Sequence, residues 1–129
     1  MEKIHILPTN KTPEILLNPT GQIKIKGRMI DESRSGVPEQ LMNWIDGYIL
    51  NPADSTEVIV ALEFLNSFNT LILTSILKKI AQLLQSRKKL AVRWYYEDDD
   101  IDIYDRGAYI ATVIDVPIEF IMTTNVSDC

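Results

Sequence analysis

The feature that most constrains the fold is the stretch from Glu57 to Ile80, where a strand pattern changes directly into a helix pattern. We predict a strand over Glu57–Asn66, because residues 58–62 form the continuous apolar run VIVAL, which is typical of a strand inside a sheet. Apolar residues then recur every three or four positions, as on the buried face of a helix: Leu73, Ile76, Leu77, Ile80, Leu83 and Leu84. This succession predicts a crossover connection between parallel strands.

The segments before this stretch predict short strands and a helix. Residues 3–8 and 13–18 are extended runs, and residues 22–27 alternate apolar and polar side chains after the turn sequence NPTGQ, which predicts a hairpin with the second run. The polar segment MIDESRSGV, residues 29–37, is predicted to be a loop. A helix follows from Pro38 to about Asn51, with an apolar stripe formed by Leu41, Trp44, Ile45 and Tyr48.

The segments after this stretch complete the pattern. We predict strands over Leu90–Tyr96 and Ile118–Thr123, and between them a helix with its apolar stripe at Ile103, Gly107, Ile110, Val113 and Ile114. The predicted order is β-β-β-α-β-α-β-α-β. A chain of 129 residues suits one domain, and crossovers in a sheet are right-handed almost without exception. The sequence therefore predicts a single α/β domain over residues 1–129, with helices packed on a mixed β-sheet.

Composition and charge argue against several classes of function. The formal net charge is −5, which disfavours non-specific binding to nucleic acid or to an anionic membrane. The basic run SRKKL, residues 86–90, is explained by a helix C-terminus, whose dipole favours cations. No apolar stretch approaches the roughly 18 residues needed to span a bilayer, and the start of the sequence lacks a signal-peptide pattern. The single cysteine, Cys129, is expected in a frayed tail. One cysteine cannot form a disulfide within the chain, which fits a reducing compartment, so we expect a cytoplasmic protein.

The sequence offers few groups for catalysis. The single histidine, His5, lies in a predicted edge strand, where a structural or surface role is favoured, and the common hydrolase and nucleotide-binding motifs are absent. The acidic run from Glu97 to Asp102 lacks the pattern of a calcium loop. A solvated helix start, capped by Asp98 or Asp99, explains this run more simply. We therefore predict no catalytic, cofactor-binding or metal-binding residue; an enzyme built on the acidic run is the weakest alternative.

Small polar residues stand where the strand Glu57–Asn66 leads into the following helix. The first N–H groups of a helix lack partners within the helix, and Asn66, Ser67 and Asn69 could all cap them. Phe68 and Leu71 fall on the outer face of this helix, followed by Ser75, which indicates a contact surface. Phosphorylation of a hydroxyl beside that surface would add a negative charge. An apolar partner that covered this charge would have to remove it from water, which costs free energy.

Five blocks of the sequence carry a resemblance to a known family: TNKTPEI, GRMIDES, LEFLNS, VRWYYEDDD and VPIEFI. With these blocks the chain resembles the SiaC family of regulatory phosphoproteins, and more broadly the anti-anti-sigma (STAS-type) fold. The resemblance implies a partner-binding regulator without a cofactor, controlled by a histidine-kinase-like Ser/Thr kinase and a PP2C-like phosphatase. It also implies that the unmodified form binds and activates a target such as a diguanylate cyclase.

The resemblance also implies site residues. The family's phosphoacceptor directly follows the asparagine of a motif of the type LEYFNTSS, which places the acceptor at Ser67. Serine replaces the family's threonine there, two following serines and a lysine are replaced as well, and an aspartate stands where the family has proline before the glutamate that matches Glu32. The expected partner contacts are Asn66, Phe68, Asn69, Thr70, Leu71 and Glu32.

Two alternatives to this assignment stay open at the level of sequence. In the first, Asn69 and Thr70 form the acceptor pair, which keeps the letters FNT of the motif but shifts the LEFLNS block. In the second, the domain binds its partner constitutively through Phe68 and Leu71 and has lost the switch. The sequence predicts no oligomeric state.

Overall fold

The computed structural model describes residues 1–32 and 36–129, and within these residues it contains six strands and three α-helices. The strands are β1 (Ile4–Ile6), β2 (Glu14–Asn18), β3 (Gln22–Met29), β4 (Ser55–Leu65), β5 (Lys89–Glu97) and β6 (Ile118–Thr123). The helices are α1 (Val37–Tyr48), α2 (Ser67–Ile80) and α3 (Ile101–Ile114), with short 3₁₀ helices at Ala81–Ser86 and Val126–Asp128. The chain is thus a mixed α/β domain.

The six strands form one sheet in the order in which they occur along the chain. β1, β2 and β3 pair antiparallel, whereas β3, β4, β5 and β6 pair parallel, which confirms the mixed sheet. The predicted hairpin is present between β2 and β3. Its turn ends at Gly21, which has a φ of +118° and whose N–H donates to the carbonyl of Asn18 at 3.0 Å.

All three helices pack on one face of the sheet, because each right-handed crossover joins a strand to its next neighbour in the same direction. Alternate residues of the strands, such as Val58, Val60 and Leu62 of β4, belong to one buried core together with the helix stripes. Ala61 is also fully buried but faces the other way. The run VIVAL is therefore continuous because the central strand is covered on both faces along part of its length.

The other face of the sheet is partly covered by the end of the chain, which corrects the prediction of a frayed tail. The 3₁₀ helix Val126–Asp128 contacts β3, β4 and β5, and Val126 is 3% exposed. Lys24 and Lys26, which point to this face, both donate to the carbonyl oxygen of Cys129. The backbone N–H of Val126 donates to the Glu97 carboxylate at 3.0 Å. Burial of one apolar residue and these polar bonds hold the segment in place.

The cap of α3 is Asp100, so the prediction of Asp98 or Asp99 was wrong. β5 continues through Glu97, and Asp98 and Asp99 form the turn that follows it. The Asp100 carboxylate then accepts from the Ile103 N–H at 3.1 Å.

Two stripe residues and the basic run also differ from the prediction. Leu84 is exposed because α2 ends at Ile80 and the 3₁₀ helix that follows has a different rotation per residue, and Val113 lies at the exposed edge of α3. The cations in the last turn of α2 are Lys78 and Lys79 rather than residues 86–90.

The remaining differences lie at element boundaries. α1 ends at Tyr48, slightly before the predicted Asn51. Met29, predicted in a loop, is the buried last residue of β3, and residues 33–35 of the same predicted loop lie outside the described residues. Trp44 and Trp94 are both buried. No helix in the described part of the chain combines the length and apolar character needed to cross a bilayer.

Candidate functional site

The junction between β4 and α2 is built around the side chain of Asn66, which is the N-cap of α2. Asn66 has extended backbone angles, and its Oδ1 accepts from the backbone N–H of Asn69 at 2.9 Å and from the Asn69 side-chain amide at 2.8 Å. Of the three residues that could have capped this helix, the structure thus uses the first. The cap satisfies one of the N–H groups that a helix start leaves without a partner.

The same two asparagines attach the junction to the segment that follows β3. The amide of Asn66 donates to the carbonyl of Ile30 at 3.1 Å, and the amide of Asn69 donates to the carbonyl of Asp31 at 3.0 Å. Asn69 is 3% exposed. The start of α2 is therefore held in a fixed position by side-chain bonds to a neighbouring segment, and Asn69 could act on a partner only by positioning other residues.

Ser67 is the first residue of α2, and its side chain is exposed to solvent. Its Oγ accepts a long hydrogen bond of 3.5 Å from Nη1 of Arg106, which lies on α3. The first turn of α2 contains no acidic residue. An accessible hydroxyl therefore lies at a helix start that carries no negative charge of its own.

Thr70, the alternative acceptor, has a different environment. It is 5% exposed, its Oγ1 donates to the carbonyl of Asn66 at 2.7 Å, and the same oxygen accepts from Nη1 of Arg106 at 3.0 Å. This hydroxyl is engaged as donor and acceptor inside the protein. Of the two candidate acceptors, Ser67 is the one that a kinase could reach without opening the structure.

Exposed apolar side chains adjoin Ser67, as the outer face of α2 predicted. Phe68 is 46% exposed and Leu71 is 61% exposed. At the end of β4, Phe64 is also exposed, and the Arg28 guanidinium lies 5.0 Å from the centre of its ring. We call Phe68 and Leu71, the two exposed apolar residues on the outer face of α2, the Phe68 surface. An exposed apolar group of this kind is typical of a contact with another protein.

A shallow cleft of about 420 Å³ separates the start of α2 from α3. The α2 side contributes Ser67, Thr70 and Leu71, and the α3 side contributes Asp102, Asp105, Arg106 and Tyr109. Within this cleft Nε of Arg106 donates to the Asp102 carboxylate at 3.0 Å. The cleft thus brings the two hydroxyls of α2 against one arginine and two carboxylates of α3.

Glu32, the remaining predicted contact, is exposed and follows Asp31, whose carbonyl is bonded by Asn69. The segment after β3 therefore places Glu32 near the start of α2. The part of Glu32 in binding a partner stays a prediction, as do the parts of Asn66, Phe68, Asn69, Thr70 and Leu71.

Three acids of the run from Glu97 to Asp102 are bonded within the protein. Asp100 caps α3, Asp102 pairs with Arg106, and Glu97 accepts from the tail. In the described residues, no group of three or more His, Cys, Asp or Glu side chains is arranged to hold a metal ion. A helix cap, an ion pair and a bond to the backbone of the tail thus account for Asp100, Asp102 and Glu97, respectively.

The sequence also matches a known protein family. The sequence model of the SiaC family, described as regulatory phosphoproteins, matches residues 6–123. The chain belongs to the SiaC family. No curated protein sequence matches it.

Solved SiaC structures share the fold. The chain resembles apo-SiaC from Pseudomonas aeruginosa with a TM-score of 0.79 and 20% identity, covering 95% of this chain and 99% of the other. It also resembles a chain in the structure of the P. aeruginosa diguanylate cyclase SiaD in complex with its activator SiaC. The TM-score there is 0.83 at 18% identity, covering 93% of this chain and 99% of the other. Identities this low establish the fold alone.

The sequence blocks that mark the SiaC family in this chain did not identify Arg106 as part of the site. Arg106 lies outside all five blocks and 36 residues after Thr70, to which it donates. A weak signal was present, since Asp102 and Arg106 are four residues apart on one helix face and could form an ion pair. That spacing gives no indication that the arginine also reaches α2.

Proposed function

We propose that this chain is a cytoplasmic, non-enzymatic signalling regulator in which reversible phosphorylation of Ser67 controls protein binding at the Phe68 surface. The observation that carries the proposal is the exposed Ser67 hydroxyl, which lies at an uncharged helix start beside exposed Phe68 and Leu71. A hydroxyl where a central strand leads into a helix is also our reason for relating the domain to the anti-anti-sigma (STAS-type) class.

The unmodified form is the one expected to bind. A partner that covers the Phe68 surface removes apolar area from water, at about 25 cal/mol per Å². A phosphoryl group on Ser67 adds a charge of about −1.5 to −2 at neutral pH, and covering that charge with an apolar surface would be costly. Phosphorylation therefore weakens binding without any need to change the fold.

We infer that the partner is a diguanylate cyclase or a related signalling enzyme. SiaC from P. aeruginosa is the activator of the diguanylate cyclase SiaD, and this chain shares its family and fold. The proposed enzymes of the switch are a histidine-kinase-like Ser/Thr kinase and a PP2C-like phosphatase. In the forward step the Ser67 Oγ forms a bond to the γ-phosphorus of ATP, ADP leaves, and the hydroxyl proton passes to a base. In the reverse step water hydrolyses the phosphoester, releasing inorganic phosphate.

The first experiment identifies the acceptor. The full chain is incubated with ATP and the proposed histidine-kinase-like Ser/Thr kinase, and mass spectrometry locates the modification. We expect a single phosphoryl group at Ser67, which Ser67→Ala abolishes. Modification of Thr70 instead, or of neither residue, would contradict the assignment.

The second experiment tests the switch. Calorimetry with the purified cyclase target should show that Ser67→Glu binds at least about tenfold more weakly than Ser67→Ala, which is about 1.4 kcal/mol. Ser127→Glu is the matched control, because Ser127 is also exposed and lies in the tail on the other face of the sheet.

A constitutive interaction domain is the second candidate function, favoured by the apolar Phe68 and Leu71 at positions where the family has polar residues. It predicts that Ser67→Ala and Ser67→Glu bind alike, whereas Phe68→Ala weakens binding. Equal affinity of the two Ser67 variants would therefore replace the switch by this alternative.

A further inference from the structure

Arg106 is the cation that contacts both hydroxyls at the start of α2. Its Nη1 donates to Thr70 Oγ1 at 3.0 Å and to Ser67 Oγ at 3.5 Å, while its Nε donates to Asp102 at 3.0 Å. The side chain is 24% exposed, so most of it is shielded from water. A guanidinium that donates to neutral hydroxyls makes weaker bonds than it would make to an anion in the same place.

The position of Arg106 is set by the core beneath it. Its neighbour Gly107 lies directly against Trp94, where an added Cβ would be 2.6 Å from Cε2 of the indole. The indole N–H of Trp94 in turn donates to the carbonyl of Ile103 at 3.0 Å. α3 therefore lies close to the sheet and next to α2, which brings Arg106 to the start of that helix without a flexible segment in between.

We propose that Arg106 binds the phosphoryl group on Ser67 and so acts as the residue within this chain that detects the modification. The inference rests on the proposed function, because it takes Ser67 as the acceptor. Nη1 of Arg106 lies 3.5 Å from Ser67 Oγ. The oxygens of a phosphoryl group bonded to this Oγ would therefore lie next to Nη1. Arginine presents five N–H donors in a planar fork, so Nη1 and Nη2 can bind the phosphoryl oxygens while Nε keeps its bond to Asp102.

Apart from Arg106, the described charged side chains that line this cleft and the adjoining one are acidic. Asp102 and Asp105 line the same cleft, and Glu63 and Asp100 line the adjoining one, where Arg28 is paired with Glu63. These carboxylates repel a phosphoryl group. Among the described residues that line the cleft, Arg106 is the cation that opposes this repulsion at Ser67.

This binding gives the modified state a defined structure. The phosphoryl group lies in the cleft beside Leu71 and Tyr109, instead of extending freely into solvent. Its charge is thereby fixed at the edge of the Phe68 surface, where a partner would have to cover it.

The test uses the full chain with phosphoserine inserted at position 67 during translation, so that no kinase is required. A ³¹P NMR titration then gives the second pKa of the phosphoserine. Losing one positive charge at about 5 Å should raise this pKa, so we expect the midpoint in Arg106→Gln to lie about 0.5 to 1 pH unit above that of the unmutated chain. Arg106→Lys keeps the positive charge but loses the planar fork of donors, so its titration midpoint should lie between those of Arg106→Gln and the unmutated chain.

Two further variants control the result. Arg93→Gln also removes one positive charge, from a side chain that is 29% exposed, compared with 24% for Arg106. Arg93 pairs with Glu57 and Glu119 on the sheet face opposite the helices. Its shift should be below about 0.2 pH unit because solvent and salt screen the charge. Asp102→Asn should shift the midpoint in the opposite direction to Arg106→Gln, because it removes a negative charge that repels the phosphoryl group.

The proposal is overturned if Arg106→Gln and Arg93→Gln give equal shifts, or if Arg106→Gln and Arg106→Lys both leave the midpoint unchanged. The proposed function fails in a different way, when the kinase does not modify Ser67 or when the cyclase binds both forms equally. Since the phosphoserine is installed without the kinase and no partner is present, the two failures are distinguishable.

Discussion

Two strand-to-helix junctions lie side by side at one edge of the sheet, and they use the same geometry with different chemistry. β4 and β5 are parallel neighbours, so the starts of α2 and α3 meet at their carboxyl ends. In each junction the side-chain oxygen of the cap accepts a hydrogen bond from the backbone N–H three residues later. The donor is Asn69 for the cap Asn66, and Ile103 for the cap Asp100. The first cap is a neutral amide and the second is a carboxylate.

The charge of the cap decides what else the helix start can bind. The N-terminus of a helix attracts negative charge. α3 already has this charge in Asp100 and Asp102, with Asp98 and Asp99 just before them, whereas the first turn of α2 has none. The junction at α2 is therefore the one that has room for an added anion, and it is also the one with an exposed hydroxyl.

The amide cap has a second consequence. An asparagine side chain can donate as well as accept, whereas an ionised aspartate only accepts. Asn66 thus caps α2 and also donates to Ile30 in the segment after β3. The α2 junction is fixed by bonds to another part of the fold, while Asp100 serves its own helix.

The largest expected effect concerns this bonding. Asn66→Ala removes the cap and leaves the buried groups around it without partners, which should lower the free energy of unfolding by about 2 to 3 kcal/mol. Asn66→Asp keeps an acceptor for the cap and loses the donor, so its cost should be about half as large. Urea unfolding of the three proteins measures both. An equal loss of unfolding free energy in the two variants would contradict this difference between the cap and the amide bonds.

The second effect concerns how α3 is held. Gly107→Ala forces a Cβ to within 2.6 Å of Trp94, so overpacking should cost about 1 to 2 kcal/mol after the gain in helix propensity. Gly47→Ala on α1 is the matched control, because its Cβ would meet only the flexible end of Met1. That variant should be neutral or stabilised by up to about 1 kcal/mol. If both variants gain stability in thermal unfolding, the close contact with Trp94 does not position α3.

The third effect is the cost of the simpler cap. Asp100→Ala should lower the free energy of unfolding by about 1 kcal/mol, and Asp100→Asn by only a few tenths, because an amide oxygen caps nearly as well. Chemical denaturation at neutral pH checks both values. A cost for Asp100→Ala as large as that of Asn66→Ala would remove the difference between the junctions.

The smallest effect compares an added charge at equivalent positions. Ser67 and Ile101 are the first residues of α2 and α3, and both are exposed. Ser67→Glu should stabilise the protein by about 0.5 kcal/mol at low salt, because the first turn of α2 lacks an anion and Arg106 lies beside position 67 to offset the nearby acids. Ile101→Glu should give no gain, since the surrounding acids repel it. Raising the salt concentration should reduce the difference in melting temperature, and a salt-independent difference would exclude this electrostatic cause.

The periodicity of the sequence predicted most of the fold, because side chains repeat every two residues along a strand and every 3.6 residues along a helix. It also predicted that Phe68 and Leu71 are exposed beside Ser67. It predicted the cap of α3 wrongly, because four aspartates within five residues, 98–102, could each begin a helix and only the end of β5 selects Asp100. The tail was missed because a segment with one buried residue, Val126, has no pattern.

The amino-acid sequence by itself determined the order of strands and helices and the position of Ser67 at a strand-to-helix junction, since both depend on neighbours along the chain. Only the tertiary structure decided that the Thr70 hydroxyl is buried while that of Ser67 is open, and that Arg106 reaches both. These features depend on how closely α3 packs on Trp94 and how α2 is bonded to the segment after β3. Contacts between residues more than 30 positions apart are set by packing in three dimensions, for which no local pattern exists.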